Sequence, residues 1–468
     1  MSIGFDRADL QGNIVRGYRR DYVRHLMLEV TNHKVARIWL GKTASGGGEG
    51  IPALTTEEQW TTRPEYCFNI GLTSDGLRAL RLPSQSIATF PQEFTEGMPS
   101  RCIKIGDVGA SAPDQWDAPF DQPDRIHVIA SIYADDDAHL DAVQALVAGA
   151  GAGQAFHILG ARSGRNLADD QVHFGYRDNI SQPRFKGIHD PERYPDLQPL
   201  MPLGTIILGF DTAYEGLRWT VPTPPQLGLL GSFNAFRILE QDVAGFEAFL
   251  DRAATELLDG PYADEILPES ILKSFGKGET RHSAMREVIA GKMCGRWRNG
   301  VPLQESPETP NPDFEVTPSA FDYHDDERCP FGAHVRRCNP RGGPIVQRVA
   351  NNTRRLVRRG IPYGGPYDPK NPDDEKRGLL GNFLCANLGA QFEAVMCDWL
   401  NLGLQDPHIT GTNDPLLGAN DPDESWFEFG LPSGARVRID NLPRFVITRG
   451  GAYTFLPSLP AVRYIGDL

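Results

Sequence analysis

The sequence predicts an α+β protein built as two halves, each a sheet with helices packed on it. Three observations carry that reading. A strand, helix, strand unit runs from 127 to 159; a second series beginning near residue 200 echoes it; and a further strand and helix with a closing strand complete the C-terminal half. The implied division is 1–200 and 201–468.

His25 to Val30 (HLMLEV) is the first strand. His127 to Tyr133 is rich in β-branched residues and ends in the acidic turn Asp135 to Asp137, which reads as a helix start. Ala138 to Ala148 then places Leu140, Val143 and Leu146/Val147 on one helical face, and the GAGAG run at 149–153 stops the helix before a strand at Phe156 to Leu159. A phosphate-cradling loop follows a strand and opens a helix; this one closes a helix. The other glycine run, SGGGEG at 45–50, lacks a following Lys-Ser/Thr, so no nucleotide site is expected.

In the second half, Gly204 to Phe210 and Phe233 to Leu239 read as strands. Gln241 to Leu257 carries Val243, Phe246, Phe249 and Leu250 at helical spacing, with Asp242 suited to capping. Phe383 to Leu388 reads as a strand, Gln391 to Leu400 as a helix and Phe445 to Thr448 as the closing strand. The stretches 111–124, 217–231, 302–320 and 360–376 are rich in Pro and Gly and read as loops.

The 468 residues carry 61 Asp+Glu against 47 Lys+Arg, a net charge of -14, the wrong sign for gripping nucleic acid or an anionic membrane. Seven scattered cysteines fit reduced thiols in a cytoplasm. No apolar leader core and no run of about 18 uncharged apolar residues is seen. A cytoplasmic location is expected.

Three clusters could carry chemistry. In Asp325 to Arg341 (DDERCPFGAHVRRCNPR), His334 sits between small residues and several arginines. It reads as a plain hydrogen-bonding histidine, as part of a zinc site with Cys329 and Cys338, or as an axial ligand to haem iron whose propionates nearby guanidinium groups would neutralise. The second cluster, Phe174 to Pro183 (FGYRDNISQP), reads as a turn held by Asp178 and Asn179. The third, Arg354 to Gly364 (RRLVRRGIPYG), reads as a solvated edge strand.

Together, and in this order, the clusters resemble the dye-decolorizing peroxidases, a haem peroxidase family marked by GxxDG with ISQP, CPFxAH-xRxxNPR and RRGIPYG. Leu10 to Ile14 (LQGNI), Gly204 to Phe210 and Arg377 to Leu380 (RGLL) also look like family landmarks, so the resemblance covers nearly the whole chain. It implies a pair of ferredoxin-like domains of the dimeric α+β barrel type, and one haem b per chain held mainly by the second domain. It implies His334 as proximal iron ligand, Asp178 as distal acid/base and Arg358 as the distal arginine beside the haem. Asp414, in GTNDPLLG, is the implied partner of the second imidazole N–H, though it reads equally as a turn aspartate. Hydrogen peroxide and aromatic one-electron donors, dyes or phenols, are the implied substrates.

Those roles make chemical sense. Peroxide must lose a proton from one oxygen and gain one on the other before its O–O bond breaks, and one carboxylate near both atoms can do both. A guanidinium stabilises charge on the departing oxygen without titrating. A free aspartic acid titrates near about pH 3.9, which predicts an acidic activity optimum.

Two departures stand out. The chain has Asn179 where the motif ends in glycine, and Gly381-Asn382-Phe383-Leu384 where the family places a Leu and a Phe over the distal pocket. The rival classes are a haem-handling protein with little turnover and a zinc-bearing structural protein. No electron-relay residue is singled out among the seven Trp and thirteen Tyr.

Overall fold

The strands predicted near 25, 127, 156, 233, 383 and 445 all form, and all lie in one antiparallel sheet. In this computed structural model the described residues are 5–149, 154–190, 200–214, 216–276, 278–341 and 348–468, with side chains of 348–350 left aside. Residues 150–153 of the GAGAG run lie outside them.

The N-terminal half contributes β1 (Tyr22–Val30), β2 (Tyr66–Leu72), β3 (Val128–Ala134) and β4 (Phe156–Arg165), in the order β4-β1-β3-β2. Helices His33–Thr43 and Asp137–Ala148 follow β1 and β3. Asn32 and Asp136 cap them, each side chain accepting backbone N–H groups of the first turn. The C-terminal half contributes β5 (Ser232–Gln241), β6 (Val357–Tyr363), β7 (Gly378–Cys385) and, after a separate hairpin of β8 (Phe427–Gly430) and β9 (Arg436–Ile439), β10 (Val446–Leu456). Asp242 caps the helix Val243–Leu258 by accepting from the Gly245 N–H.

In the second half the order is β10-β5-β7-β6, so the fourth, first, third and second strands of each half lie side by side in that sequence. Both halves are ferredoxin-like. They join where Leu72 of β2 pairs with Phe455 of β10. The far edges, β4 and β6, also approach: a side chain at Gly164 would put its Cβ 2.7 Å from the Pro362 carbonyl. The glycine lets the sheet curl until its two ends meet.

One core fills the curled sheet, with Leu26, Phe68, Ile132, Phe236 and Phe455 from the strands and Trp39 and Leu140 from the helices. A second lies under the helices Val243–Leu258 and Arg281–Cys294 and takes in Trp297, Cys329, Ala333 and Phe445. That second core is the floor on which the His334 segment rests.

Four expectations are corrected. Gly204 to Phe210 is not a strand: a 3-10 turn at Leu203–Thr205 leads into an irregular stretch in which Ile206, Ile207 and Leu208 are all buried. A short apolar run has no period to tell strand from buried loop, and here the Gly204 N–H returns to the Asp211 carbonyl (3.1 Å). The helix read at Gln391 to Leu400 begins at Leu388 and is wound in wide π turns, Leu388–Glu393 and Val395–Asn401, which a 3.6-residue period does not register. The loop read at 360–376 begins inside β6, which carries Gly360 to Tyr363. Finally, β6 is an edge strand but not a solvated one: Arg355 just before it is buried, its carbonyl accepting from Gln391, and Arg358 and Arg359 are half-buried, with Gln182 docked on Arg358.

A buried ion pair locks the long 98–125 connection onto the second half. Arg237 on β5 donates to both oxygens of Asp107 (2.8 and 2.6 Å), and the Thr448 hydroxyl of β10 donates to the same carboxylate (2.8 Å). Both side chains are almost wholly enclosed. Removing one partner of such a pair strands the other charge, so Asp107→Ala is expected to destabilise the fold by about 3 kcal/mol, read as a drop in thermal midpoint. A midpoint within a degree of the parent would contradict this.

Candidate active site

Two segments far apart in sequence build the site. The first is Cys329 to Arg341. Cys329 and Ala333 anchor in the second core, and the Ala333 N–H closes a turn on the Pro330 carbonyl (3.0 Å). The short helix His334–Cys338 therefore starts at His334 itself. Gly295, in the left-handed region at φ +91, ends the helix Arg281–Cys294 directly beneath it; a Cβ there would stand 2.5 Å from Val335 Cγ2.

Two arginines of the motif are structural. Arg337 is buried and donates to the carbonyls of Gly332 (3.0 Å), Trp399 (3.2 Å) and Thr412 (2.9 Å), tying the histidine helix to the 399–414 stretch. Burial pushes its guanidinium down to about 10 against the opposing pull of the Asp414 carboxylate. Arg336 stacks over the rings of Phe331 (4.5 Å) and Tyr323 (4.9 Å).

The tie through Arg337 delivers Asp414. Its Oδ2 lies 3.0 Å from His334 Nδ1, while its Oδ1 accepts the N–H groups of Leu416 (2.9 Å) and Leu417 (2.8 Å). Asp414 is thus a turn aspartate and the imidazole partner at once, one oxygen for each task. A carboxylate can only accept, so Nδ1 carries a proton, and Nε2 is the nitrogen on which a metal bond would take the place of a proton. Cys338 Sγ stands one turn along, 3.9 and 3.8 Å from the two ring nitrogens, too even to be a directed bond. Burial works against charge on His334, but the Asp414 carboxylate outweighs it and holds the imidazole well above the usual histidine range. Burial alone would raise Asp414 as well; His334 and Arg337 hold it below the usual carboxylate range.

The second segment covers β6. Phe174 and Tyr176 insert into the second core, and the Asp178 N–H donates to the Asp170 carbonyl (2.8 Å). The Gln182 side chain then docks on Arg358 like an added sheet rung: its Nε2–H donates to the Arg358 carbonyl (2.9 Å) and its Oε1 accepts the Arg358 N–H (3.1 Å). The Arg358 guanidinium donates to the Ser181 carbonyl (2.7 Å). The clamp thus fixes Arg358 to the segment that carries Asp178 three residues before Ser181. The Asp178 carboxylate is half-buried and makes no hydrogen bond among the described residues.

Between the two segments lies a knot of like charge. Burial and the neighbouring guanidinium groups of Arg358 and Arg341 push Arg355 down to about 9. Arg341 donates from Nη1 to the carbonyls of Ser319 and Phe321 (both 2.6 Å), while its buried Nε has no hydrogen-bond partner among the described residues. Among the described residues none of the three forms an ion pair with a carboxylate. Three guanidinium groups so arranged suit a dianionic ligand. With a tautomer-fixed imidazole beside them, the donor set fits a haem, whose iron takes one histidine and whose two propionates need cations.

The zinc reading finds no such fit: no group of three or more His, Cys, Asp or Glu able to hold a metal ion occurs among the described residues. Sequence reasoning missed Arg355 and the Gln182 clamp. A run of arginines reads as a solvated face until something is known to cover it.

No family model matches the chain. Curated relatives match nearly end to end: peroxidase 2 of Mycetinis scorodonius is 26% identical, over 99% of this chain and 88% of its own. A dye-decolorizing peroxidase of Exidia glandulosa is 26% identical over 97% of this chain and 86% of its own, and a multifunctional dye peroxidase of Amycolatopsis sp. 28% over 97% and 95%. Among solved structures, a dye-decolorizing peroxidase in complex with 2,6-dimethoxyphenol superposes with a TM-score of 0.79 at 26% identity, covering 99% of this chain and 100% of that one. The chain is a relative of the dye-decolorizing peroxidases. Seen as such, its Asn179 is accommodated: the residue adopts φ +60, the left-handed conformation that a motif glycine would supply, and its amide donates to Asp170 Oδ1 (3.3 Å). Asn382, in the altered stretch of β7, is buried and accepts a hydrogen bond from Asn234 (2.8 Å). No helix among the described residues is long and apolar enough to cross a membrane.

Proposed function

We propose that this chain is a cytoplasmic haem-dependent peroxidase that binds one haem b, reduces hydrogen peroxide and oxidises phenols, dyes or similar one-electron donors. The observation that carries the reading is the His334 imidazole, fixed through Nδ1 by a buried carboxylate, with only the Cys338 sulfur (3.8 Å) near Nε2, together with three arginines that pair with no carboxylate among the described residues. His334 would hold the iron, and Arg341, Arg355 and Arg358 would offer positive charge to the propionates. The bound haem supplies the redox chemistry: one peroxide takes two electrons and two protons to become two waters, and two phenols each give up one electron and one proton.

The protein's own groups manage protons and charge. Asp178 accepts a proton from one peroxide oxygen and returns it to the other, a transfer that needs a carboxylate unburdened by fixed hydrogen bonds. Arg358, oriented by Ser181 and Gln182, stabilises negative charge on the departing oxygen. Asp414 keeps His334 in one tautomer and makes it a more basic ligand. The likeness to peroxidases along almost the whole chain supports the peroxidase reading in which these roles are set. The test is oxidation of 2,6-dimethoxyphenol by the haem-loaded protein: turnover that requires peroxide supports the reading, and bleaching without turnover sinks it.

A further inference from the structure

Beside Arg358 a cleft of about 460 Å³ opens between the 13–21 segment, the 179–189 segment and β6. Peroxide is far too small to need such a space, since a water occupies only about 30 Å³ in the liquid. The volume is that of a small organic ligand, about 300–1,000 Å³. In a chain of net charge -14 the lining is sharply basic: six arginines, Arg16, Arg19, Arg20, Arg184, Arg358 and Arg359, against the two carboxylates Asp21 and Asp170.

Of these, Arg16, Arg19 and Arg359 form no ion pair with a carboxylate among the described residues. Arg20 pairs with Asp135. Arg16 and Arg359 bond only backbone carbonyls, of Ile188 (3.2 Å) and of Asn13 (2.8 Å) with weaker bonds to Ile14 and Arg358, and the Arg19 guanidinium has no partner among the described residues. Burial, with Arg19 and Arg358 adding to it, pushes Arg359 down to about 10 in spite of Glu57 nearby. Tyr18 and Tyr133, largely buried and edge to face with centroids 5.4 Å apart, also line the cleft, so its base is aromatic while its charge comes from the arginines.

We propose that this cleft binds the reducing substrate and selects an aromatic carboxylate, its anion held by Arg16 and Arg19 and its ring lying toward Tyr18 and Arg358. What then happens to the ligand rests on the peroxidase reading above; its binding does not. A cleft of focused positive potential draws anions in against the net charge of the molecule, and salt screens it.

The test compares two phenols of matched ring, 4-hydroxyphenylacetate and neutral 4-hydroxybenzyl alcohol, on the haem-loaded protein and on the Arg16→Gln/Arg19→Gln variant. Binding of the inert probe benzoate is followed in parallel by ligand-observed NMR. In the variant, KM for the carboxylate should rise about fivefold while kcat and the KM for the alcohol stay within twofold, and benzoate binding should weaken by the same factor. Equal changes for both phenols, or benzoate binding that is absent or indifferent to the two substitutions, would overturn the proposal and leave the cleft a passage for peroxide. If neither phenol is oxidised but benzoate binds and the variant loses it, the cleft assignment stands and the peroxidase reading fails.

Discussion

Asp178→Ala is expected to lower the rate of peroxide reduction by about a thousandfold while leaving haem content unchanged. General acid-base groups contribute about 10²- to 10⁴-fold, and here one carboxylate is asked both to remove and to return a proton. Its freedom is built in: the backbone of Asp178 is pinned to Asp170 (2.8 Å) and the next residue is locked at φ +60, yet the carboxylate itself is unbonded among the described residues. Asp178→Asn preserves the shape and cannot carry the proton, so it should be nearly as slow. Stopped-flow measurement of the step that consumes peroxide reads this directly. A loss of less than tenfold in both variants would remove Asp178 from the chemistry.

Asp414→Ala should weaken haem binding by about 10- to 100-fold, the usual cost of deleting the group that orients a metal-bound histidine. It should also destabilise the fold by about 3 kcal/mol or more, because the N–H groups of Leu416 and Leu417 lose their acceptor and Arg337 loses its nearest countercharge. Asp414→Asn separates the two effects. Its amide oxygen can still accept from Leu416 and Leu417, but its NH₂ cannot accept from His334 Nδ1. Near-parental thermal stability with weakened haem binding is the expected pattern for Asn; full haem affinity in either variant would show that the 3.0 Å contact between Asp414 and His334 does not matter to the ligand.

Much of this was legible from residues alone, for reasons that can be traced. The helices Asp137–Ala148 and Val243–Leu258 announce themselves because Leu140 and Val143, and Phe246 with Phe249 and Leu250, must share a buried face, and because Asp136 and Asp242 are ready acceptors for the orphan first-turn N–H groups. His334 was legible because CPFxAH is a long and specific string. Gly204 to Phe210 misled because buried loops and buried strands look alike in a seven-residue apolar run; only the tertiary return of Gly204 to Asp211 decides between them. Asp414 was ambiguous in sequence because both of its jobs are real and each oxygen performs one. The burial of Arg355 was not legible at all, since it depends on neighbours such as Arg341, Tyr323 and Gln391 that come from other parts of the chain.

The whole arrangement turns on one imidazole as the iron ligand. The direct measurement is the haem content of purified, reconstituted protein by pyridine haemochromogen assay and Soret absorbance, for the parent and for His334→Ala, with circular dichroism to verify that both are folded. One haem per chain in the parent and almost none in the folded variant is the expected result. A full Soret band in His334→Ala, or none in the parent, would contradict it.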